Sequence, residues 1–399
     1  MAVKTNYEKN GIKYARVTAT VGTRPDGTRI RKEFLGKNMR EAEQKKKEYI
    51  DNLNKGLNID FQNTTLGEFM HTWLFEVVKQ YASYATFDRY EGVFRNYVIN
   101  TELFNLKIYA IKSMTLQKYY NRIYDTGTSS SQIFNLNKLL KMFFNYCIKE
   151  GYIVINPCFR IAIPGRSKAS ERISDIEDRE VDPFTPDEIE KIKAASCNYF
   201  NESGSCLNMI LLLGLGTGLR KGELLGLSFR DVDLENKEIH VAKALKSVKI
   251  INADGSYKYA LILETPKTKS SIRNVPLPSA LIPTLKAYLA RQKEKYLANK
   301  IPLTGASLIF TSSTCNYLDG KNIYHAWIRC LKRAGVRTRA FHNIRHTYAT
   351  QLFEQGIELL TVSKLLGHST IAITAGVYVH VMPKVKTEAA ESINHLFKI

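Results

Sequence analysis

The chain has 399 residues, beyond the usual size of one domain, and its 44% hydrophobic content lets two or three units each bury a core. With 58 Lys and Arg against 38 Asp and Glu the net charge is +20, which points to a polyanionic partner, nucleic acid first. Six cysteines without a Cys-x-x-Cys pair or a zinc-like His/Cys cluster argue against a disulfide framework and a structural zinc, and the longest apolar run, residues 207–219, is too short and Gly-broken to span a bilayer.

The basicity is spread along the chain. Residues 1–60 carry 14 basic and 8 acidic side chains, residues 61–165 carry 11 and 7, and a further net +10 lies beyond. Several DNA-gripping modules would have this distribution, and so would a solvated basic surface. The first residues, MAVKTNYEKN, contain no apolar signal core, so a reduced cytoplasm is the expected setting.

In the first segment Tyr14, Val17 and Val21 alternate with small and basic residues, and Arg24-Pro25-Asp26-Gly27 predicts a hairpin turn because Pro presets φ and Gly tolerates positive φ. The strand returns over 28–35. Asn38 with Glu41 three residues on reads as a helix N-cap with its acid, followed by a Lys-rich helix that stops at Gly56. A small β-sheet plus one helix is the expected N-terminal domain, residues 1–60.

Thr65-Leu66-Gly67-Glu68 is a capping box that opens an all-helical domain, residues 64–163. Helically spaced Phe69, Trp73, Val77, then Tyr90, Phe94, Tyr97, then Leu136, Leu139, Leu140, Phe143, Phe144 predict four or five helices up to Asn156-Pro157. These aromatic stripes fit a core better than a base-stacking platform. Residues 164–183, polar and charged, read as an interdomain linker.

A third domain, residues 184–399, opens with Thr185 as cap, Pro186 at the first helical position, Glu188 completing the box and Phe184 ready to staple onto Ile189. It reads as mixed α/β and mainly helical: helix to Gly214, strands around 238–243, 260–263 and 272–276, then helices.

Three constellations carry chemistry. In Gly216-Thr217-Gly218-Leu219-Arg220-Lys221-Gly222-Glu223 a Gly-rich break leads into a helix and can set Arg220 beside a phosphate, where a guanidinium donates to two oxygens at once. Alone, this pattern is better explained by a Gly-capped helix with a surface Arg. His342 and Arg345, three apart, share a helix face. The pair His342/His346 has the spacing of a zinc protease but lacks its glutamate, Asn343 standing there, so metal binding is the weaker reading and His346 is left out of the site. Leu365-Leu366-Gly367-His368 reads as a helix closed by Gly, followed by Tyr378 on the next helix. A free phenol has a pKa near ~10, with only about one in a thousand ionised at neutral pH, so cationic neighbours must assist it.

The ordered series Arg220, His342-x-x-Arg345, Leu366-Gly367-His368 and Tyr378 resembles the tyrosine recombinases, or phage integrase family, over residues 180–399. Leu225-Gly226-Leu227-x-x-x-Asp231-Val232-Asp233 and Thr265-Pro266-Lys267-Thr268-Lys269-Ser270-Ser271-x-Arg273-x-Val275-Pro276 are also similar, the latter on the hairpin where the family carries its catalytic Lys. The three-part layout looks most like integrases of conjugative transposons and temperate phages.

The resemblance implies site-specific DNA recombination, integrating and excising a mobile element, with Tyr378 as nucleophile forming a 3′-phosphotyrosine. Arg220 and Arg345 would stabilise the phosphorane, Lys267 (preferred to Lys269) would protonate the 5′ oxygen, and His342 would relay the phenol proton. His368 would bind the phosphate and Glu223 would orient the arginines. It further implies an arm-type DNA-binding domain at the N-terminus, a core-site domain that clamps double-stranded DNA with the catalytic domain, and a C-terminal tail docking on a neighbour in a DNA-bound tetramer. An excisionase or DNA-bending accessory protein, no cofactor or metal, no membrane, and a nucleoid-associated location in the bacterial cytoplasm complete the expectation. Ala375-Gly376 is smaller and a poorer helix former than the residues the family usually places there, which suggests a mobile segment before Tyr378. Three other readings stay open: a type IB topoisomerase, a non-catalytic integrase-like DNA-binding regulator, and a metal-dependent nuclease or transposase.

Overall fold

The structure is a computed structural model that describes residues 6–9, 12–23, 29–54, 64–166, 182–197, 202–265, 271–368, 370–378 and 391. It divides into two compact units, Met1–Lys168 and Ala169–Ile399. Residues 24–28, 55–63 and 167–181, where the sequence places the hairpin turn and the domain boundaries, lie outside the described residues. Among the described residues no helix is long and apolar enough to cross a membrane.

The first unit begins with an antiparallel sheet of β1 (Tyr7–Lys9), β2 (Ile12–Thr23) and β3 (Arg29–Gly36), bulged between Thr20 and Gly22. Helix α1 (Met39–Asn54) packs on it, Phe34 meeting Tyr49 edge to face at 5.2 Å. Its start follows the sequence: Asn38 Oδ1 accepts from the Glu41 amide at 2.8 Å. The Glu41 carboxylate in turn accepts from the amide of Lys37 at 2.9 Å, so two otherwise orphaned donors are satisfied.

The helical module runs through α2 (Leu66–Thr72), a π turn (Trp73–Val78) and α3 (Lys79–Tyr81), then α4 (Tyr84–Tyr97), the short α5 (Glu102–Asn105), α6 (Ser113–Asp125) and α7 (Ser130–Lys149). Thr65 caps as its spacing predicts, accepting from the Glu68 amide. The aromatic stripe is interior: Phe143 lies fully buried, 5.4 Å from Trp73 and 5.6 Å from Phe69, ring centre to ring centre.

The second unit opens with α8 (Pro186–Cys197) and α9 (Glu202–Thr217), two helices where the sequence suggested one. The short α10 (Lys221–Leu225) follows. A small antiparallel sheet has the order β4 (Val232–Asp233), β5 (Glu238–Val241), β8 (Arg273–Pro276), and between its strands the chain throws out a two-stranded ribbon, β6 (Ala244–Ile251) with β7 (Tyr257–Glu264). The ribbon is longer than expected, because pairing of Ala244 with Glu264 through Ile251 with Tyr257 holds residues whose own alternation is weak. Helices α11 (Ile282–Ala298), α12 (Gly320–Ala334), α13 (Asn343–Glu354), α14 (Leu359–Leu366) and α15 (Ile371–Tyr378) complete the unit.

Its core is centred on Trp327, which meets Phe184 and Phe341 edge to face at 5.7 and 5.4 Å and donates its indole N–H to Arg339 O at 2.8 Å. The chain entering the unit is stitched to α13: Asn343 Nδ2 donates to Asp182 O, and the Phe184 amide to Thr347 Oγ1. The Asp182 carboxylate receives Arg337 and Arg339, and Arg339 also donates to Glu188 at 2.8 Å. Asp182 and Pro183, inside the segment read as linker, thus belong to the described body.

Candidate functional site

The site is assembled where three helices end. Helix α9 closes at Gly218, whose φ of +65° turns the chain so that Arg220 becomes the N-cap residue of α10. A Cβ at Gly218 would overlap the ring of Tyr348 and come within 2.9 Å of Leu366, so Gly is required twice, by conformation and by space. Gly222 and Gly226 let α10 lie directly on the start of β6, since a Cβ at either would stand within 3.1 Å of the Leu245 backbone. These close approaches explain the glycine-rich pattern around Arg220.

Glu223, buried, is the anionic centre. It accepts from the Arg220 amide at 2.9 Å and from Arg220 Nη1 at 2.8 Å, and Arg273 reaches it with Nη2 at 3.1 Å. Burial pushes its pKa up, but Arg273 and Arg220 outweigh burial and leave the carboxyl below its ordinary value.

Arg345 is only 3% exposed and, among the described residues, forms no ion pair with a carboxylate. Its Nη1 donates to Gly218 O at 2.9 Å and its Nη2 to Leu366 O at 2.6 Å, so one guanidinium satisfies carbonyls following α9 and ending α14. Burial, then the neighbouring Arg220, lowers its pKa to about 9; at neutral pH it is a cation. Arg220, with its side chain 40% exposed, is the open member of the cluster.

Helix α14 ends as the sequence predicts. Gly367, at φ +67°, makes the left-handed cap, and the His368 amide donates back to Ser363 O at 3.2 Å. His368 Nδ1 lies 2.7 Å from the hydroxyl of Thr374, which is fully buried in α15. Burial, followed by the fields of Arg345, Arg220, Arg273 and His342, lowers the His368 pKa to about 3, so the ring is neutral. His342 stands exposed at the start of α13, its ring edge to face with His346 at 4.7 Å.

The structure therefore brings together Arg220, Glu223, Arg345 and His368, with His342 near enough to act on His368. The backbone of α15 is helical through Ala375, Gly376 and Tyr378, which puts Tyr378 one turn beyond Thr374. Lys267 and Lys269, and the tail after Tyr378 apart from residue 391, lie outside the described residues, and the side chain of Tyr378 is likewise not described. The sequence assigned no role to Arg273 or Thr374. Arg273 was visible only as part of a hairpin pattern, and Thr374 only by its spacing of four from Tyr378.

Three guanidiniums around one carboxylate, on a mainly helical fold with small sheets, define an anion site suited to a phosphodiester. The model of the phage integrase family matches residues 183–384, and that of the phage integrase N-terminal SAM-like domain matches residues 65–124. A "Tyrosine recombinase XerC-like" protein of Caldanaerobacter subterraneus subsp. tengcongensis is 50% identical, with 100% of both chains covered. The ICEBs1 integrase of Bacillus subtilis is 24% identical over 76% of this chain and 77% of its own. The Tn1549 transposon integrase, solved in complex with a circular intermediate DNA, shares the fold: 20% identity, 82% of this chain and 100% of that one covered, TM-score 0.61.

The chain belongs to the phage integrase family. It is a tyrosine recombinase, an enzyme of site-specific recombination that cuts and rejoins DNA, and kinship with recombinases and integrases favours this over the topoisomerase and regulator readings.

Proposed function

We propose that this recombinase integrates and excises a mobile element through a 3′-phosphotyrosine intermediate, with Arg220, Lys267, His342, Arg345, His368 and Tyr378 as its catalytic residues and Glu223 in support. The observation that carries the reading is the convergence of Arg220, held by Glu223, with Arg345 and His368, which lie more than a hundred residues further along the chain. A phosphodiester drawn to this cluster meets Arg220 from the open side and the remaining N–H bonds of Arg345, which offset charge as the phosphorane forms.

The Tyr378 oxygen forms a bond to phosphorus while the bond to the 5′ oxygen breaks. The phenol proton passes to His342, and Lys267 supplies a proton to the departing 5′ oxygen. His368 stays neutral. The 2.7 Å contact between Nδ1 and the Thr374 hydroxyl suits the tautomer in which the hydroxyl donates; in that tautomer the imidazole keeps its proton on Nε2 and can donate it to a phosphate oxygen. Rejoining reverses these steps with a different 5′ hydroxyl, so the bond energy is retained and neither ATP nor a metal is needed.

The same reading assigns residues 1–60 to arm-type sites, 64–163 to core-site DNA and 184–399 to catalysis. The tail over 385–399 reaches a neighbouring protomer in a DNA-bound tetramer, and an excisionase or DNA-bending protein sets direction. The element of the ICEBs1 and Tn1549 relatives supplies the analogy for a mobile element. The test is a nicked duplex carrying a candidate element end, incubated in EDTA and run on a denaturing gel. Wild type is expected to yield a covalent protein–DNA band, and Tyr378→Phe none despite near-normal binding. Equal bands from both proteins would remove Tyr378 from its role; a band that disappears with EDTA would replace the tyrosine mechanism with a metal-dependent one.

A further inference from the structure

Arg273 makes more fixed contacts than any catalytic candidate requires of it, and it makes them to the scaffold. Its Nε donates to Leu365 O at 2.7 Å, its Nη1 to Ser271 O at 3.2 Å, and its Nη2 to Glu223 Oε2 at 3.1 Å, with Glu223 Oε1 3.5 Å from Nη1. The side chain is 7% exposed. One guanidinium thus joins β8, the buried carboxylate of α10 and the last turn of α14, over sequence separations of 50 and 92 residues.

We propose that Arg273 is a positioning residue for strand cleavage: through Glu223 it sets Arg220, and through Leu365 it sets the turn that delivers His368, without touching the scissile phosphate. Three observations converge on this. Both Glu223 oxygens face both arginines, Oε1 accepting from Arg220 Nη1 and Oε2 from the Arg220 amide and Arg273 Nη2, so the fork of Arg273 fixes the carboxylate plane against which Arg220 is aligned. Leu365 directly precedes Leu366, whose carbonyl receives Arg345, so two arginines anchor adjacent carbonyls at one helix end. And Gly367 is needed for Arg273 to pass: a Cβ there would stand 2.9 Å from its Nη1 and 3.1 Å from its Cζ. The glycine before His368 is therefore the space through which Arg273 reaches the helix end.

Lysine cannot replace this arrangement, since a single ammonium has no planar fork to hold a carboxylate and a carbonyl on different helices. The role acts through the geometry of other groups, so its signature is a slower chemical step with unchanged DNA affinity.

This inference rests on the cleavage chemistry proposed above. The full-length wild type, Arg273→Lys, Arg273→Gln, Glu223→Gln and the Arg273→Gln/Glu223→Gln double variant are compared on the nicked duplex with protein in saturating excess. The rate of covalent complex formation and the DNA Kd are measured separately, below the melting temperature of each protein. Arg273→Gln is expected to slow covalent complex formation about 10- to 100-fold with Kd within about threefold of wild type. Arg273→Lys should fall between the two, and the double variant should be no slower than the slower single variant, because both changes break one linkage.

A wild-type rate for Arg273→Gln, a multiplicative loss in the double variant, or a Kd that weakens in step with the rate would each overturn the positioning role. Should Arg273→Gln not fold, Arg273→Lys decides: a slower step at unchanged Kd supports the role, and a wild-type rate ends it. If wild type binds DNA yet forms no covalent complex, the cleavage reading itself falls and takes this inference with it.

Discussion

The helical module of the first unit and the arginine cluster of the second are both largely buried, but they are filled with opposite materials. In the module Phe143, Trp73, Phe69 and Phe144 stack edge to face, and the backbone is satisfied within each helix. In the cluster the buried groups are guanidiniums and a carboxylate, satisfied by carbonyls and side chains of other elements. A hydrocarbon interior loses stability in proportion to what is removed. A charged interior is all-or-none, because removing one partner strands another.

The largest effect that tests this contrast is Arg345→Met. It leaves the Gly218 and Leu366 carbonyls unpaired but also removes a buried cation held beside Arg220, so we expect a loss of only about 1–3 kcal/mol in denaturant unfolding together with a fall of at least about 100-fold in covalent complex formation. Phe143→Ala should cost more in stability, ~3–5 kcal/mol through its cavity, yet keep the cleavage rate at saturating protein within about threefold. Equal damage to cleavage by both changes would erase the distinction between the two interiors.

A pH scan gives a smaller, sharper effect. The unfolded chain has a His368 pKa near 6.5 and the folded one about 3, so the unfolded state binds the extra proton between these values. Stability is then full above about pH 6.5 and declines as pH falls below it. His368 is partly exposed, which screens the effect, and we expect about 2 °C of melting temperature lost from pH 6.5 to 5.5, with a flatter profile in His368→Asn. Identical slopes in the two proteins would mean that the imidazole is not held neutral by burial and its arginine neighbours.

The smallest effect belongs to a cap. Thr65→Ala removes the acceptor for the Glu68 amide and should cost about 1 kcal/mol in unfolding, leaving cleavage unaffected. A loss of cleavage there would tie the module's first turn to the chemistry.

Whether a feature was legible followed its range along the chain. The caps at Asn38, Thr65 and Thr185, the glycine closure at Gly367 and the aromatic core stripe depend on residues within a few positions of each other, and they stand where their spacing put them. The ribbon of β6 and β7 was half seen, because its stability lies in cross-strand partners rather than in alternation. Arg273 was passed over as one basic residue in a hairpin pattern; its meaning lies in Leu365, 92 residues on.

The sequence by itself determined the spread of basic charge, the helix starts and stops, and the residue types on offer to a phosphodiester, because residue type and short-range periodicity carry them. Only the tertiary structure decided which cations are buried and which one stays open, that His368 is neutral, and that Glu223 and three helix-end carbonyls hold the arginines. Burial and hydrogen bonding between segments a hundred residues apart set pKa values and orientation, and neither is a property of a residue's neighbours in the chain.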